Sequence, residues 1–255
     1  MPAKTIEEVI KRLDAIIEHS IEQASALGIF ACVYRQVTHL VQQGIASGRF
    51  ENGSRMERLD VIFANRYLEG YDQYLAGLRP AKSWLSAFEA ASHQDLLILQ
   101  HLFVGMNAHI NLDLGIAAAQ AVAQHELPEL ENDFNQINKM LAEQIDNVQD
   151  ALSKVSPLLI LLDWFGKRSD EHFAEFSLVK ARTHAWREAK RLSLLDEKTK
   201  QMEIEQLDGY VAVLNKLITQ PGFLARGLIR LVKFFENKNI PTIISVLKNS
   251  QPASS

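Results

Sequence analysis

The segment His101-Leu-Phe-Val-Gly-Met-Asn-Ala-His-Ile-Asn-Leu-Asp-Leu-Gly-Ile carries two imidazoles, two carboxamides and a carboxylate on one otherwise apolar stretch. At helical pitch His109 and Asp113 lie about 6 Å apart along the axis and about 40° around it, so they share a face. Such a pair can ligate one divalent metal ion. It can equally form a dyad in which Asp113 orients His109 as a general base. Asn107 and Asn111 repeat the spacing on another side, where they would position a polar group of a largely apolar substrate. His101 sits about 12 Å along the axis from His109, too far to share an ion but available as a binding residue. Gly105, on the side of the two histidines, permits close approach by a second helix or a ligand.

Phe103, Val104, Met106, Ile110, Leu112, Leu114 and Ile116 surround the axis of the same segment. A helix apolar on all sides belongs inside a protein, so several of the polar groups should be buried with it. Each one left without a partner would cost about 1–3 kcal/mol. Three readings follow: a structural hydrogen-bonded network, a metal or catalytic site, and a polar ligand pocket without chemistry. Asp133 and Arg182, on later segments, are expected to complete the pocket, with Arg182 pairing to Asp113 or Asp133. His184 and Glu188 form a second His/acid pair four residues apart, able to join the site if the two helices face each other. Asn65, Arg66, Glu69 and Asp72 read as a partly solvated cluster.

Common chemistries are missing from the string. It holds no Glu-x-x-His, His-Glu-x-x-His, Gly-x-Ser-x-Gly, Walker A or Gly-x-Gly-x-x-Gly pattern. The single cysteine, Cys32, lies in an apolar run and reads as a small buried hydrophobe. With 27 Lys+Arg against 31 Asp+Glu, a net charge of −4 and no basic tail, nucleic acid is not the expected partner. The N-terminus lacks a signal-peptide core, and no run of 18 or more apolar residues is read as a membrane span, so the expectation is a soluble cytoplasmic protein. The exception to a plain surface is Gly222 to Asn239. There Arg226, Arg230 and Lys233 step along a helix against Leu224, Leu228, Ile229, Val232 and Phe235, with Lys238 just beyond, which allows peripheral contact with an anionic membrane.

The elements that must position these groups are helical. Among 255 residues only twelve are Gly and seven are Pro, and apolar residues recur every three or four positions with no alternating strand pattern. Capping signals at Thr5/Glu8, Ser54/Glu57 and Ser92/Asp95, and prolines 80, 128, 157 and 241 in first turns, mark the starts. The spacing predicts helices near 5–25, 28–47, 54–77, 80–91, 93–125, 128–153, 157–167, 170–194 and 197–219, and a C-terminal pair near 222–236 and 240–249. The expectation is one all-α domain over 1–250, a compact multi-helix bundle with 93–125 buried at its centre, and a frayed tail at 251–255.

The string HLFVGMNAHINLDL is accompanied by Asn65-Arg66-Tyr67 and Trp84-x3-Phe88 upstream. Downstream stand Asp133-Phe134-x2-Ile137-Asn138 and Ala181-Arg182-x3-Trp186. Together they resemble a bacterial and fungal family of helical proteins known only as a domain of unknown function, from about residue 30 to the end. The resemblance implies a helical fold and supplies no activity. From the residues themselves the leading expectation is a small-molecule enzyme, with His109 as base or metal ligand and Asp113 as orienter or co-ligand. A divalent metal is one form of it. The alternatives are a binding protein for a small apolar ligand and a structural or partner-binding helical domain.

Overall fold

A computed structural model describes residues 1–158 and 178–249, apart from the side chains of 142–146 and 224. Every regular element among the described residues is helical. In chain order they are α1 (Ile6–Glu22), α2 (Leu27–Ala46), α3 (Gly53–Leu75), α4 (Lys82–Ala90) and α5 (Ile98–Asn107). A π-helical segment (Ala108–Leu114) follows, then α6 (Gly115–Ala121), a 3-10 turn (Gln124–Glu126) and α7 (Leu127–Val155). After the undescribed residues come α8 (Leu178–Ser193), α9 (Glu197–Thr219), α10 (Phe223–Phe235) and α11 (Ile240–Lys248). The all-α expectation holds, and the helix limits fall close to those read from periodicity. The expected helix at 157–167, the first part of 170–194 and the tail at 251–255 lie outside the described residues.

α5, the π segment and α6 run on as one helix, Ile98–Ala121, with α2, α3, α4, α8 and α9 packed around it. By length and composition this helix is apolar enough to cross a membrane, but most of it is buried inside the bundle. Leu102, Val104, Ala108, Leu112 and Ile116 are all nearly inaccessible, as an all-round apolar wheel requires.

Helix starts deviate from the local signals in an instructive way. Thr5 caps α1 as expected, its Oγ1 accepting from the Glu8 N–H. For α3 the cap is Asn52, whose Oδ1 accepts from the Arg55 N–H, and not Ser54. The central helix begins at Ile98, so Ser92 and Asp95 do not cap it; residues 93–96 are spent on turns. The starts of α3, α4 and the central helix are also held by carboxylates from far along the chain. Asp133 on α7 accepts from the Glu51 and Asn52 N–H groups before α3. Asp208 on α9 accepts from the N–H groups of Lys82 and Ser83 at α4. Glu236, just after α10, accepts from the Ile98 N–H. Each is buried, and each sets a negative charge at the positive end of a helix, satisfying donors the helix cannot pair itself. α3, α4 and the central helix are the elements that carry the site.

Candidate functional site

His109 projects from the π segment into a box of aromatic rings. Phe63 of α3 stacks on the imidazole with centroids 3.6 Å apart and planes 11° from parallel. Tyr34 of α2 meets it edge-on at 4.3 Å, and Phe30, Trp84 and Tyr67 complete the enclosure at 5.6, 5.9 and 6.3 Å. Gly105, one turn before His109, is what lets Phe30 in. A Cβ there would stand 2.6 Å from the Phe30 ring. Gly115, just after the π segment, does the same for α8, since its Cβ would meet the Ala185 carbonyl at 2.8 Å. The two glycines bracket the π segment and bring neighbours against it on both sides. π segments inside α-helices occur frequently at functional sites.

The electrostatics are unusual for a core. Among the described residues neither His109 ring nitrogen has a hydrogen-bond partner, although both are buried. Its Nδ1 is 3.6 Å from Asp113 Oδ2, too long for a hydrogen bond. Burial holds the imidazole pKa below its ordinary value, against the opposing pull of Asp113, so His109 is neutral at pH 7. Asp113 is itself fully buried but well provided for. Arg66 Nε donates to Oδ1 and Trp84 Nε1 donates to Oδ2, each at 2.7 Å. Burial works to raise the Asp113 pKa, and the Arg66 charge with the two neighbours more than offsets it, so the carboxylate stays ionised.

Among the described residues Tyr34 Oη in the box, Tyr71 Oη beside Tyr67 and Asp60 Oδ2 on α3 are also buried without partners. Asp60 lies one turn before Phe63 on α3. Burial, with Glu57 adding to it, pushes its carboxyl up to about 7. Burial likewise keeps Tyr34 a phenol far above its ordinary range, with Asp60 the next contributor. The aromatic box therefore holds a neutral imidazole, an ionised carboxylate and a phenol, and the Asp60 carboxyl on α3 acts on that phenol.

The other residues singled out in the sequence fall elsewhere. Asn111 Nδ2 donates to Asn107 Oδ1, while Asn107 Nδ2 donates to the Val211 carbonyl and to Asn215 Oδ1. Asn215 in turn donates to the Ser83 carbonyl and to Ser86 Oγ. That chain of carboxamides is a paired network tying the π segment to α9 and α4, on a side away from the aromatic box. Asp133 anchors the start of α3 and meets Arg55 Nη2 at 3.1 Å. Arg182 pairs with neither expected aspartate. Its guanidinium donates to the Phe134 carbonyl and to Asn138, and lies 4.5 Å over the Phe134 ring. His101 is buried toward α10, its pKa pushed down to about 4 by burial, with Lys233 and His93 acting in the same direction. His184 is 3.8 Å from Glu188 on α8, and Glu188 is also bound to Arg191. Cys32 is a buried thiol raised to about 12 by burial, in keeping with a packing role.

Sequence reasoning missed Arg66, Trp84, Tyr34, Phe63 and Asp60. Arg66 is partly solvated, as its cluster suggests, yet it is also the cation that keeps Asp113 charged. The signal available was helical spacing: Asp60, Phe63 and Tyr67 at i, i+3 and i+7 form one stripe on α3, which had to face something. For a metal, His109 and Asp113 offer two ligands at most, and Asp113 already accepts two hydrogen bonds. Among the described residues no group of three or more His, Cys, Asp or Glu converges. Catalytic zinc sites use three protein ligands, so the donor set here fits a metal poorly.

The fold and its centre define a class: an all-helical bundle with an aromatic-walled imidazole at a π segment of its core helix. Residues 6–221 match the model of DUF5995, a family of unknown function, and the chain belongs to that family. The match begins earlier than the motif string suggested and stops before α10. No curated protein and no solved structure matches the chain.

Proposed function

We propose that this protein is an enzyme for a small, flat, largely apolar molecule, with His109 as a general base and without a metal. The carrying observation is the imidazole buried with both nitrogens unpartnered. More than nine in ten buried polar groups in folded proteins are hydrogen-bonded, and an orphan costs about 1–3 kcal/mol. A histidine serving packing alone would leave two buried polar atoms unsatisfied, a cost that a guest supplying the missing partners removes. Asp113 lies on the Nδ1 side, and a shift of well under 1 Å would let it accept the Nδ1 proton. That fixes the tautomer with the Nε2 lone pair free to take a proton. The neutral imidazole is in the form a base requires at pH 7. A guest reaching Nε2 must displace one of the rings packed on the imidazole, Phe63 at 3.6 Å among them, which favours a planar molecule.

A second reading, a binding protein without turnover, is favoured by one observation. Asp113 is committed to Arg66 and Trp84 and makes no hydrogen bond to His109. Both readings are tested by His109→Phe, with small molecules extracted from the purified full chain identified by mass spectrometry. The variant should fold with unchanged or higher stability while losing any molecule the parent retains. Turnover of that molecule by the parent supports the base, and stoichiometric retention supports the binding protein. A variant that melts well below the parent, with the same extract from both, overturns the two together and leaves His109 as scaffold.

A further inference from the structure

α10 presents a face to the outside that no part of the candidate site uses. Its inward side is Ile229 and Val232, buried against Leu97, with Leu228 and Ala225 at their edge. Lys233, expected among the outward cations, turns in instead. Its Nζ donates to the Leu96 carbonyl and meets Glu236 at 3.0 Å. Glu236 is itself buried at the start of α5, so it places no negative charge on the surface.

What remains outside is distinctive. At 100° per residue Phe223 and Phe234 fall at the middle of the outward face, and they are 86% and 72% exposed. Arg230 and Arg226 flank them on one side, both exposed. Leu231 and Phe235 flank them on the other, 47% and 54% exposed. Lys238, also exposed, follows just past the helix. No residue of α10 is acidic. Water solvates the two arginines well and the four large apolar side chains poorly, and a cluster of that kind marks an interaction surface.

We propose that the outward face of α10 docks on an anionic lipid surface, with Phe223 and Phe234 entering the headgroup boundary and Arg226, Arg230 and Lys238 pairing with lipid phosphates. Charge complementarity selects this occupant. No acid of α10 itself offsets the cationic flank, and aromatic and leucine side chains beside it are what interfacial helices insert. The surface belongs to helices that follow the family-matched residues 6–221 and is independent of the reading of His109.

The test is co-flotation of the full chain with vesicles of phosphatidylcholine alone, or with about 30 mol% phosphatidylglycerol, near physiological and raised salt. The chain should float with the anionic vesicles, remain behind with the neutral ones, and lose most of its binding at high salt. Arg226→Glu with Arg230→Glu, and separately Phe223→Ser with Phe234→Ser, should each lower the bound fraction about tenfold or more while circular dichroism stays unchanged. Failure to float with anionic vesicles overturns the proposal, as does equal flotation of folded variants and parent. So does a dimer in light scattering that Phe234→Ser dissociates, since a second copy then occupies the face.

Discussion

Asp60 shows how much one side chain can set against the fold. In the unfolded chain its pKa is that of an ordinary aspartate, near 3.8, and in the folded chain it stands at about 7. Between those values the folded protein binds more protons than the unfolded one. Its contribution to stability is therefore full below about pH 4 and is lost as the pH rises through 7. Asp60→Asn keeps the shape and removes the charge. It should make the protein more stable than the parent at pH 8, by up to about 4 kcal/mol, with the gain vanishing near pH 4. Urea midpoints measured across that range would check it, and a variant equally destabilised at both ends would contradict the burial of a carboxyl near neutrality. A carboxyl raised this far weakens the fold at neutral pH, and it acts on a Tyr34 phenol that is buried without a partner among the described residues.

At the scale of elements, the central helix depends on how closely its neighbours approach. Gly105→Ala should lower stability by about 1–3 kcal/mol, because the added methyl meets the root of the Phe30 ring and not a flexible tip. The ring must then move, and with it the stack around His109, so the near-ultraviolet circular dichroism of the aromatics should change as well. Gly209→Ala on α9 is the control. Nothing lies within 4 Å of its Cβ position, so the substitution should stabilise by roughly 0.5–1 kcal/mol through helix propensity alone. If both alanines behave alike, the close approach at Gly105 does not limit packing. The caps teach a related lesson. Pro128 and Pro241 sit in the first turns they serve, so local chemistry sets those starts, whereas α3 is held both by its own Asn52 and by the distant Asp133. Ser92 and Asp95 carried a weaker local signal, not a strict capping box, and start no helix; Glu236 holds the beginning of the central helix from 138 residues away.

The molecule as a whole is closed by its last helices. Ile243, Ile244 and Leu247 of α11 are almost fully buried in the same cluster as α1 and α2, and Cys32 Sγ lies 3.7 Å from the Ile244 carbonyl. Burying three such side chains contributes roughly 5–9 kcal/mol, comparable with the whole net stability of about 5–15 kcal/mol of a domain. A chain ended after Pro221 retains everything the family model matches, yet it should unfold at much lower urea or aggregate. Unchanged melting of that shortened chain would show that α10 and α11 are an appendage. The amino-acid string by itself determined the helices, most of their limits, the buried central element and the place of His109 and Asp113 within it, because helical periodicity and composition are local properties of the chain. It could not determine which groups would meet them. Arg66, Trp84, Tyr34 and Phe63 reach the core from three other helices, while Asn107, Asp133 and Arg182 turn to separate partners. Those pairings depend on packing angles and close approaches between segments distant in the chain, and only the tertiary structure decides them.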